Sequence, residues 1–237
     1  MKVLVTGCAG FIGSHLTEYL LKNGHEVIGI DCFTDYYAKE LKEQNLSAAL
    51  QHQNFIFLNS NLSDMLEFPD VDIVFHQAAQ AGVRSSWGED FSIYSRNNIE
   101  ATQRLLEWYK DKSLKKFVYA SSSSVYGDVS LPMYEDMRLQ PVSPYGVSKL
   151  AAEHLCYLYW KNFQVPTISL RYFSVYGSRQ RPDMVINKFV HSILEGKEIF
   201  IYGDGTQTRD FTYIDDVVNA NILSAMSTVS GEVFNIG

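Results

Sequence analysis

The sequence predicts an α/β fold built on a doubly wound parallel sheet. Short continuous apolar runs, the first at residues 3–5, alternate with segments of helical periodicity along most of the chain. Unbroken apolar runs of this length are typical of parallel strands buried on both faces. A glycine-rich turn follows the first run, and an acidic residue ends the second. Strands that alternate with helices place those helices on both faces of one sheet.

The apolar patterns place the elements in order along the chain. Strands are predicted at residues 3–5, 27–30, 54–58, 71–75, 117–120, 165–170, 199–201 and 233–237. Helices are predicted at residues 11–23, 97–109, 145–162, 185–195 and 217–226, with an irregular or helical connection over residues 34–53. Gly24 is placed to end the first helix, and Asp215 and Asp216 to cap the last one.

Composition excludes several classes of protein. The chain has 237 residues and a net charge of −7, so there is no basic surplus to bind the phosphates of a nucleic acid. Cys8, Cys32 and Cys156 form no CxxC pair, which argues against a disulfide framework or a zinc site and fits a reducing compartment. No apolar run approaches a membrane span, and the N-terminus does not resemble a signal sequence. We therefore expect a cytoplasmic protein with no nucleic-acid or membrane partner.

Three glycines between the first strand and the first helix indicate a dinucleotide site. Gly7, Gly10 and Gly13 follow the strand, and Asp31 ends the next one. Gly7 would allow the tight turn, Gly10 close approach of a pyrophosphate to the helix N-terminus, and Gly13 close helix packing. Asp31 would bind the adenosine ribose and repel a 2′-phosphate. The sequence thus predicts a Rossmann-like domain that binds NAD rather than NADP; a turn that serves packing alone is the alternative.

Tyr145 and Lys149 form the motif that indicates proton transfer. Residues four apart lie one turn above each other on a helix face, so the ammonium would lie beside the phenol. A phenol has a reference pKa of about 10, and nearby positive charge favours the phenolate. The alternative is a surface helix whose tyrosine packs and whose lysine is solvated. His76 is predicted to be a packed residue at a strand end, because no second ligand stands at a metal-like spacing from it.

Seven motifs along the chain carry a resemblance to a known family. They are TGCAGFIG at 6–13, HQAAQAGVRSSW at 76–87, YASSSSVYG at 119–127, YGVSK at 145–149, RYFSVYG at 171–177, RQRPDM at 179–184 and GDGTQTRDFTYIDD at 203–216. Together they resemble the extended short-chain dehydrogenase/reductase family, in its nucleotide-sugar epimerase/dehydratase branch. The resemblance implies an NAD-binding domain at 1–171, to which a helix at 215–226 returns. It also implies a partial nucleotide-sugar lobe at 172–237 without its C-terminal part.

The resemblance also implies roles for individual residues. Tyr145 is the implied catalytic base, Lys149 lowers its pKa and holds the nicotinamide ribose, and Ser122 occupies the position of the catalytic Ser/Thr. The implied cofactor-binding residues are Gly7, Gly10, Phe11, Ile12, Gly13, Asp31, Asn61, Leu62, Gln77, Ala78, Ala79, Asn97, Tyr145 and Lys149. The implied substrate-binding residues are Arg84, Ser123, Ser124, Ser174, Arg181 and Arg209, of which Arg181 and Arg209 would neutralise the substrate diphosphate.

Two departures and one open alternative accompany this assignment. Family members often have Asp at the position of Asn61 in the adenine pocket, and many have Asn at the position of Ser174 in the substrate pocket. Arg84 lies in a loop that either faces solvent or reaches an anionic substrate.

The residues that follow Ser122 decide the expected chemistry. Sugar 4,6-dehydratases of this branch have an Asp-Glu pair there, and decarboxylating members keep a Glu at the second position. Here the two positions are Ser123 and Ser124, so no acid/base pair for elimination is evident. The resemblance therefore implies an NAD-dependent 4-epimerase of a UDP-sugar, with UDP-glucuronate the expected substrate, and a homodimer formed through the helices of Asn97 and Tyr145.

Other functions remain open at the level of the sequence. Ser123, Ser124 and Ser174 could line a pocket for UDP-glucose or a UDP-N-acetylhexosamine. A nucleotide-sugar dehydratase or decarboxylase is a further alternative. An NAD-responsive binding module without catalysis is the alternative from another class.

Overall fold

The computed structural model describes residues 1–201 and 203–237. The described strands are β1 (Lys2–Thr6), β2 (Glu26–Asp31), β3 (Phe55–Asn59), β4 (Ile73–His76), β5 (Lys116–Ser122), β6 (Thr167–Tyr172), β7 (Ser174–Tyr176), β8 (Phe211–Tyr213) and β9 (Glu232–Ile236). The described helices are α1 (Phe11–Lys22), α2 (Lys39–Leu46), α3 (Phe91–Tyr94), α4 (Ala101–Tyr109), α5 (Pro144–Phe163), α6 (Val185–Leu194) and α7 (Ile214–Met226).

Seven of the described strands form one parallel sheet in the order β3-β2-β1-β4-β5-β6-β9. The strand order reverses between β1 and β4, which is the arrangement of a doubly wound fold. The predicted Rossmann-like fold is therefore confirmed. The reversal point also marks where a ligand binds in such folds, in the crevice beyond the carboxyl ends of the strands.

Helices cover both faces of the sheet, which explains why its strands are apolar without alternation. Val3 and Val5 of β1 pack into one core layer with residues of α1 and α7. Leu4, between them, points to the opposite layer, which contains residues of α4 and α5. Since successive side chains of a strand point to opposite faces, a strand covered on both sides must be apolar at every position.

Three sequence predictions about the last third of the chain were wrong. Residues 199–201 form no strand, and their side chains are exposed. Asp215 and Asp216 do not cap α7; they lie in its first turn, where their charge favours the helix dipole. Finally, β9 pairs with β6 in the main sheet, although residues 232–236 were assigned to the smaller lobe.

The two remaining strands, β7 and β8, form a separate parallel pair. Helix α7 follows β8 and packs against α1 on one face of the main sheet. Within the residues that the structure describes, there is no helix long and apolar enough to cross a membrane.

Candidate active site

A cleft opens at the carboxyl edge of the sheet, above the reversal point between β1 and β4. Its wall includes Gly7 after β1, Asp31 at the end of β2, Gln77 after β4, Ser121 on β5 and Tyr172 on β6. Parallel strands end at the same edge of a sheet, which is why residues far apart in sequence meet here.

The glycine turn after β1 depends on backbone conformations and contacts that larger residues do not tolerate. Gly7 has a φ of +69°, and a Cβ on it would lie 2.7 Å from the backbone nitrogen of Ala78. A Cβ on Gly13 would lie only 2.1 Å from the carbonyl oxygen of Gly7. The turn is therefore compressed between β4 and α1, as the sequence predicted for a tight turn with close helix packing.

Asp31 ties the glycine turn to the end of β2. Its carboxylate accepts hydrogen bonds from the backbone N–H groups of Ala9 and Phe33, at 3.1 and 2.9 Å. Burial raises the pKa of Asp31, and both N–H groups act to lower it. Asn61 lies in the same part of the cleft, where its side-chain oxygen caps a short turn by accepting the N–H of Ser63 at 3.0 Å.

His76, at the end of β4, is buried between two threonines, which confirms the prediction of a packed residue. Its Nδ1 lies 2.7 Å from Thr6 Oγ1, and its Nε2 lies 2.9 Å from Thr102 Oγ1. Thr102 donates its hydroxyl proton to the carbonyl of Asn98, so its oxygen must accept the imidazole Nε2–H. Thr6 then donates to Nδ1 while accepting the N–H of Ala78. The neutral imidazole thus holds Ala78, which lines the cleft.

We expect His76 to make the protein less stable in acid. Burial lowers the pKa of His76 from 6.5 to about 3, so between these pH values the unfolded chain binds a proton that the folded chain does not. The free energy of unfolding should therefore decrease as the pH falls through this window, by about 1.4 kcal/mol per pH unit from this group. Urea unfolding at a series of pH values measures that slope.

A non-titrating variant isolates the contribution of His76. In His76→Gln, an amide can still bridge the two threonines, and we expect the acid slope to shrink by the amount given above. His154→Gln is the matched control, because His154 is exposed. Equal slopes for wild type and His76→Gln would contradict the prediction.

A π-helical segment, Ser95–Glu100, separates α3 from α4 and gives two adjacent asparagines different tasks. Such segments are frequent at functional sites. Asn97 lines the cleft, whereas Asn98 is buried. The side chain of Asn98 bonds the N–H and C=O of Gln80, at 2.7 and 3.1 Å, and donates to Ser148 Oγ at 2.9 Å. Asn98 therefore links the cleft backbone after β4 to the helix that carries Tyr145.

Helix α5 begins beside the end of β5. Ser143 is its N-cap and accepts the N–H of Gly146 at 3.0 Å. A Cβ on Gly146 would lie 2.5 Å from the carbonyl oxygen of Ser124, so only glycine lets this first turn pack so closely against the serine run. This contact places Tyr145 next to Ser122.

The environment of Tyr145 sets the protonation of its phenol. Burial raises the pKa of Tyr145, while hydrogen bonding to Ser122 and the positive charge of Arg181 act to lower it. The buried ring of Tyr94 packs edge-on against Tyr145, with centroids 6.3 Å apart. The sequence predicted that Lys149 would be the cation acting on Tyr145. The structure adds Arg181 as a cation that lowers the pKa of this phenol, and the role of Lys149 stays a prediction.

Lys149 lies one turn further along α5, deep in the wall of the cleft. Its side chain is almost fully buried, and its ammonium lies 4.6 Å from the centre of the Tyr119 ring. Burial lowers the pKa of Lys149 to about 7, although the charge of Glu153 acts to raise it. An ammonium so close to losing its proton is sensitive to any charge that enters the cleft.

Arg181 reaches the cleft from the segment after β7. Its guanidinium binds the carboxylate of Asp183 with two hydrogen bonds, at 2.9 and 3.0 Å, and Tyr36 donates to the same carboxylate at 3.1 Å. The segment is anchored on α1 by an ion pair between Arg179 and Glu18, at 2.7 Å. These contacts hold Arg181 in the cleft. The two hydrogen bonds to Asp183 also show the geometry in which this guanidinium binds a carboxylate.

The structure brings most of the predicted cofactor-binding residues together. Of that set, all but Gly10 line the cleft; Gly10 is the N-cap of α1 and donates its N–H to the carbonyl of Gly7. Their roles remain predictions, since position alone does not show binding.

The predicted substrate-binding residues are more scattered. Arg181 lines the cleft, whereas Arg84, Ser123, Ser124, Ser174 and Arg209 do not. Arg84 and Arg209 are exposed, on the loop after β4 and the loop before β8. Ser123 and Ser124 begin a short 3-10 turn beside the cleft, and the Ser124 N–H is bound by Ser122 Oγ.

Several residues of the cleft were missed from the sequence. These are Ile30, Cys32, Thr34, Tyr36, Tyr37, Lys42, Ser60, Gln80, Ala81, Ala101, Ala120, Ser121 and Tyr172. The most informative is Lys42, which is buried beside Asp31, donates to the carbonyl of Thr34 and lies 4.5 Å from the Tyr37 ring centre. The sequence around Lys42 is polar and does not predict that this lysine is buried, because its burial depends on tertiary packing.

Comparisons with known proteins decide the family. The model of the NAD dependent epimerase/dehydratase family matches residues 3–237. An uncharacterized UDP-glucose epimerase, YtcB, of Bacillus subtilis (strain 168) is 48% identical, over all of this chain and 77% of the relative. A UDP-glucuronate 4-epimerase of Thermodesulfobacterium geofontis is 42% identical, over 99% and 74%. The chain belongs to the NAD-dependent epimerase/dehydratase family.

A solved structure agrees with this assignment. The crystal structure of UDP-glucuronic acid 4-epimerase from Bacillus cereus, in complex with UDP-glucuronic acid and NAD, matches with a TM-score of 0.94 at 49% identity. The match covers all of this chain and 77% of that one. The predicted family, the enzyme class and the NAD cofactor are thereby confirmed. The chain spans about three quarters of the length of these relatives.

The residues of this epimerase-family cleft fit NAD. Helix α1 begins without a side-chain cap, so its first N–H groups remain available to a pyrophosphate. Gly7 and Gly13 let the turn pack closely against the backbone after β4 and against the start of α1, and Asp31 supplies a carboxylate for ribose hydroxyls. In the described part of the chain, no group of three His, Cys, Asp or Glu residues could hold a metal ion.

Proposed function

We propose that this protein is a UDP-glucuronate 4-epimerase. The observation that carries the proposal is the arrangement around Tyr145, where a hydroxyl from Ser122 and a cation from Arg181 act on the phenol. The positions after Ser122 are serines rather than the acid pair of a dehydratase. Relatives named for this activity, at 42% and 49% identity, support the same substrate.

Tyr145 and its neighbours would perform the proton transfer of this reaction. Tyr145 takes the proton of the sugar 4-OH and later returns it, and Ser122 donates a hydrogen bond to the reacting oxygen. NAD, when bound, accepts hydride from C4 and gives it back on the other face. Lys149 would bind the nicotinamide ribose, and its charge adds to that of Arg181 in favouring the phenolate.

Arg181 would bind an anionic group of the substrate in place of Asp183. A planar guanidinium suits a carboxylate or a phosphate equally well, so it could hold either the C6 carboxylate or the diphosphate. Asp183 shows the geometry of the first case, with two parallel hydrogen bonds. Ser123, Ser124 and Ser174 remain proposed as neutral donors that hold the C6 carboxylate without protonating it or expelling carbon dioxide.

The test is a product screen with full-length protein and UDP-sugars, with and without added NAD. We expect UDP-glucuronate to give UDP-galacturonate, detected by separation of the two nucleotide-sugars. Conversion of UDP-glucose without conversion of UDP-glucuronate would overturn the proposal. Arg181→Met then separates the two binding roles through KM: a rise in KM confined to UDP-glucuronate indicates carboxylate binding, and an equal rise for both sugars indicates diphosphate binding. A fall in kcat shared by both sugars reports instead the loss of the positive charge beside Tyr145.

We also propose that the enzyme is a cytoplasmic homodimer. Three free thiols fit a reducing compartment. Exposed apolar side chains on α5, including Tyr157 and Leu158 at 50% and 49%, support burial of this helix against a second copy. Sedimentation of the full-length protein distinguishes a dimer from a monomer.

A further inference from the structure

An ion pair lies buried beneath the cleft and takes no part in the proton transfer described above. Glu153 on α5 and Arg171 on β6 are 4% and 3% exposed. Arg171 donates from Nε and Nη2 to the two carboxylate oxygens, at 3.1 and 2.6 Å. Two parallel bonds of this kind fix the relative orientation of the partners as well as their distance.

Glu153 contacts both elements that carry the proposed catalytic groups. It lies one helical turn after Lys149 on α5, so it belongs to the same rigid face of that helix. Its Oε2 also accepts a hydrogen bond from Ser121 Oγ at 2.6 Å. Ser121 lines the cleft and immediately precedes Ser122 at the end of β5. One carboxylate therefore joins the Lys149 helix to the Ser122 strand.

Arg171 extends this connection to β9, the neighbouring strand at the edge of the sheet. Its Nη1 donates to the Tyr126 hydroxyl at 2.8 Å and to the carbonyl of Glu135 at 3.1 Å. Tyr126 in turn donates to Asn235 on β9, at 2.7 Å. The carboxylate of Glu153 is thus backed by a network in which each bond restricts the next.

The fold alone does not require charged residues at these two positions. Replacing a buried ion pair by apolar side chains of similar volume is often neutral or stabilising, because desolvation offsets most of the attraction. We propose that Glu153, held by Arg171, is a positioning residue that sets Lys149 and Ser122 at the spacing the reaction needs. This inference rests on the proposed epimerase function. The charge of Glu153 also helps to keep the buried Lys149 protonated.

The deciding variant is the apolar pair Glu153→Met with Arg171→Met in the full-length enzyme. It removes both charges of the pair together, so neither partner is left buried without the other, and we expect unfolding in urea close to the wild-type midpoint. We expect kcat with UDP-glucuronate to fall by about 10 to 100-fold, because a shift of about 1 Å in a positioning contact can cost that much. KM and bound NAD should change little. If the double variant keeps both the stability and the kcat of the wild type, the proposal is overturned.

Two further variants complete the test. Ser121→Ala removes only the link between β5 and Glu153 and keeps the ion pair; we expect a smaller fall in kcat, with normal stability. If the apolar pair fails to fold, an unchanged kcat in Ser121→Ala overturns the proposal by itself. The control is Lys112→Gln with Asp70→Asn, an exposed pair at the opposite edge of the sheet, which should leave kcat unchanged.

Failure of the inference is distinguishable from failure of the proposed function. A wild-type enzyme that converts none of the UDP-sugars rejects the function itself. A wild-type enzyme that converts UDP-glucuronate, with a fully active apolar pair, rejects only the role of Glu153.

Discussion

Tyr145→Phe is expected to lower kcat for epimerisation by a factor of about 10² to 10⁴, the usual contribution of a positioned acid or base. The ring would still pack against Tyr94, so the cleft should keep its shape. We therefore expect the amount of bound NAD and the midpoint of urea unfolding to remain close to those of the wild type. Steady-state turnover of UDP-glucuronate and the absorbance of bound cofactor measure the two effects.

The control for this substitution lies on the same helix. Tyr157 does not line the cleft, and Tyr157→Phe removes only a hydroxyl while keeping the ring for the proposed dimer contact, so this variant should keep full activity. A Tyr145→Phe enzyme with more than about a tenth of the wild-type kcat would show that another group transfers the proton.

Gly13→Ala is expected to destabilise the protein by about 3 kcal/mol or more and to abolish NAD binding. The added Cβ would lie 2.1 Å from the carbonyl oxygen of Gly7. The Cβ is fixed to the helix backbone and the oxygen belongs to the turn backbone, so no side-chain rotation can relieve the contact. Either α1 or the glycine turn must move, which displaces the N–H groups that face the pyrophosphate. Urea unfolding and titration with NAD report these two losses separately.

Gly10→Ala provides a graded comparison. Its Cβ would lie 3.2 Å from the same carbonyl oxygen, a contact that a shift of a few tenths of an ångström relieves. We expect a clearly smaller loss of stability than for Gly13→Ala. Equal effects of the two substitutions would mean that crowding against Gly7 is not the cause.

The parts of the site that the sequence predicted are those fixed by local chemistry. The turn at Gly7, the acid at Asp31 and the spacing of Tyr145 and Lys149 depend on a few neighbouring residues. Each of them lies in the cleft. Continuous apolar runs likewise predicted the strands of the sheet, because a strand that is buried on both faces is apolar at every position.

The parts that were wrong or missed depend on contacts between distant segments. Arg181 acts on Tyr145 from a distant segment, which an ion pair between Arg179 and Glu18 ties to α1. Lys42 is buried against Tyr37 despite its place in a polar helix. Residues 199–201 have the composition of a strand but pair with no strand in the part of the chain that the structure describes. In contrast, β9 pairs with β6, which lies far earlier in the sequence.

The position of β9 has a consequence for biosynthesis. A ribosome releases β6 long before residues 232–236, so the nascent chain passes through a stage in which β6 forms the rim of the sheet. Its unsatisfied backbone groups can then recruit strands from other molecules. Tyr126 also lacks its acceptor Asn235 until that moment. Mutations that weaken β9 should therefore increase the need for chaperones and the fraction of protein in inclusion bodies, although β9 is a short strand.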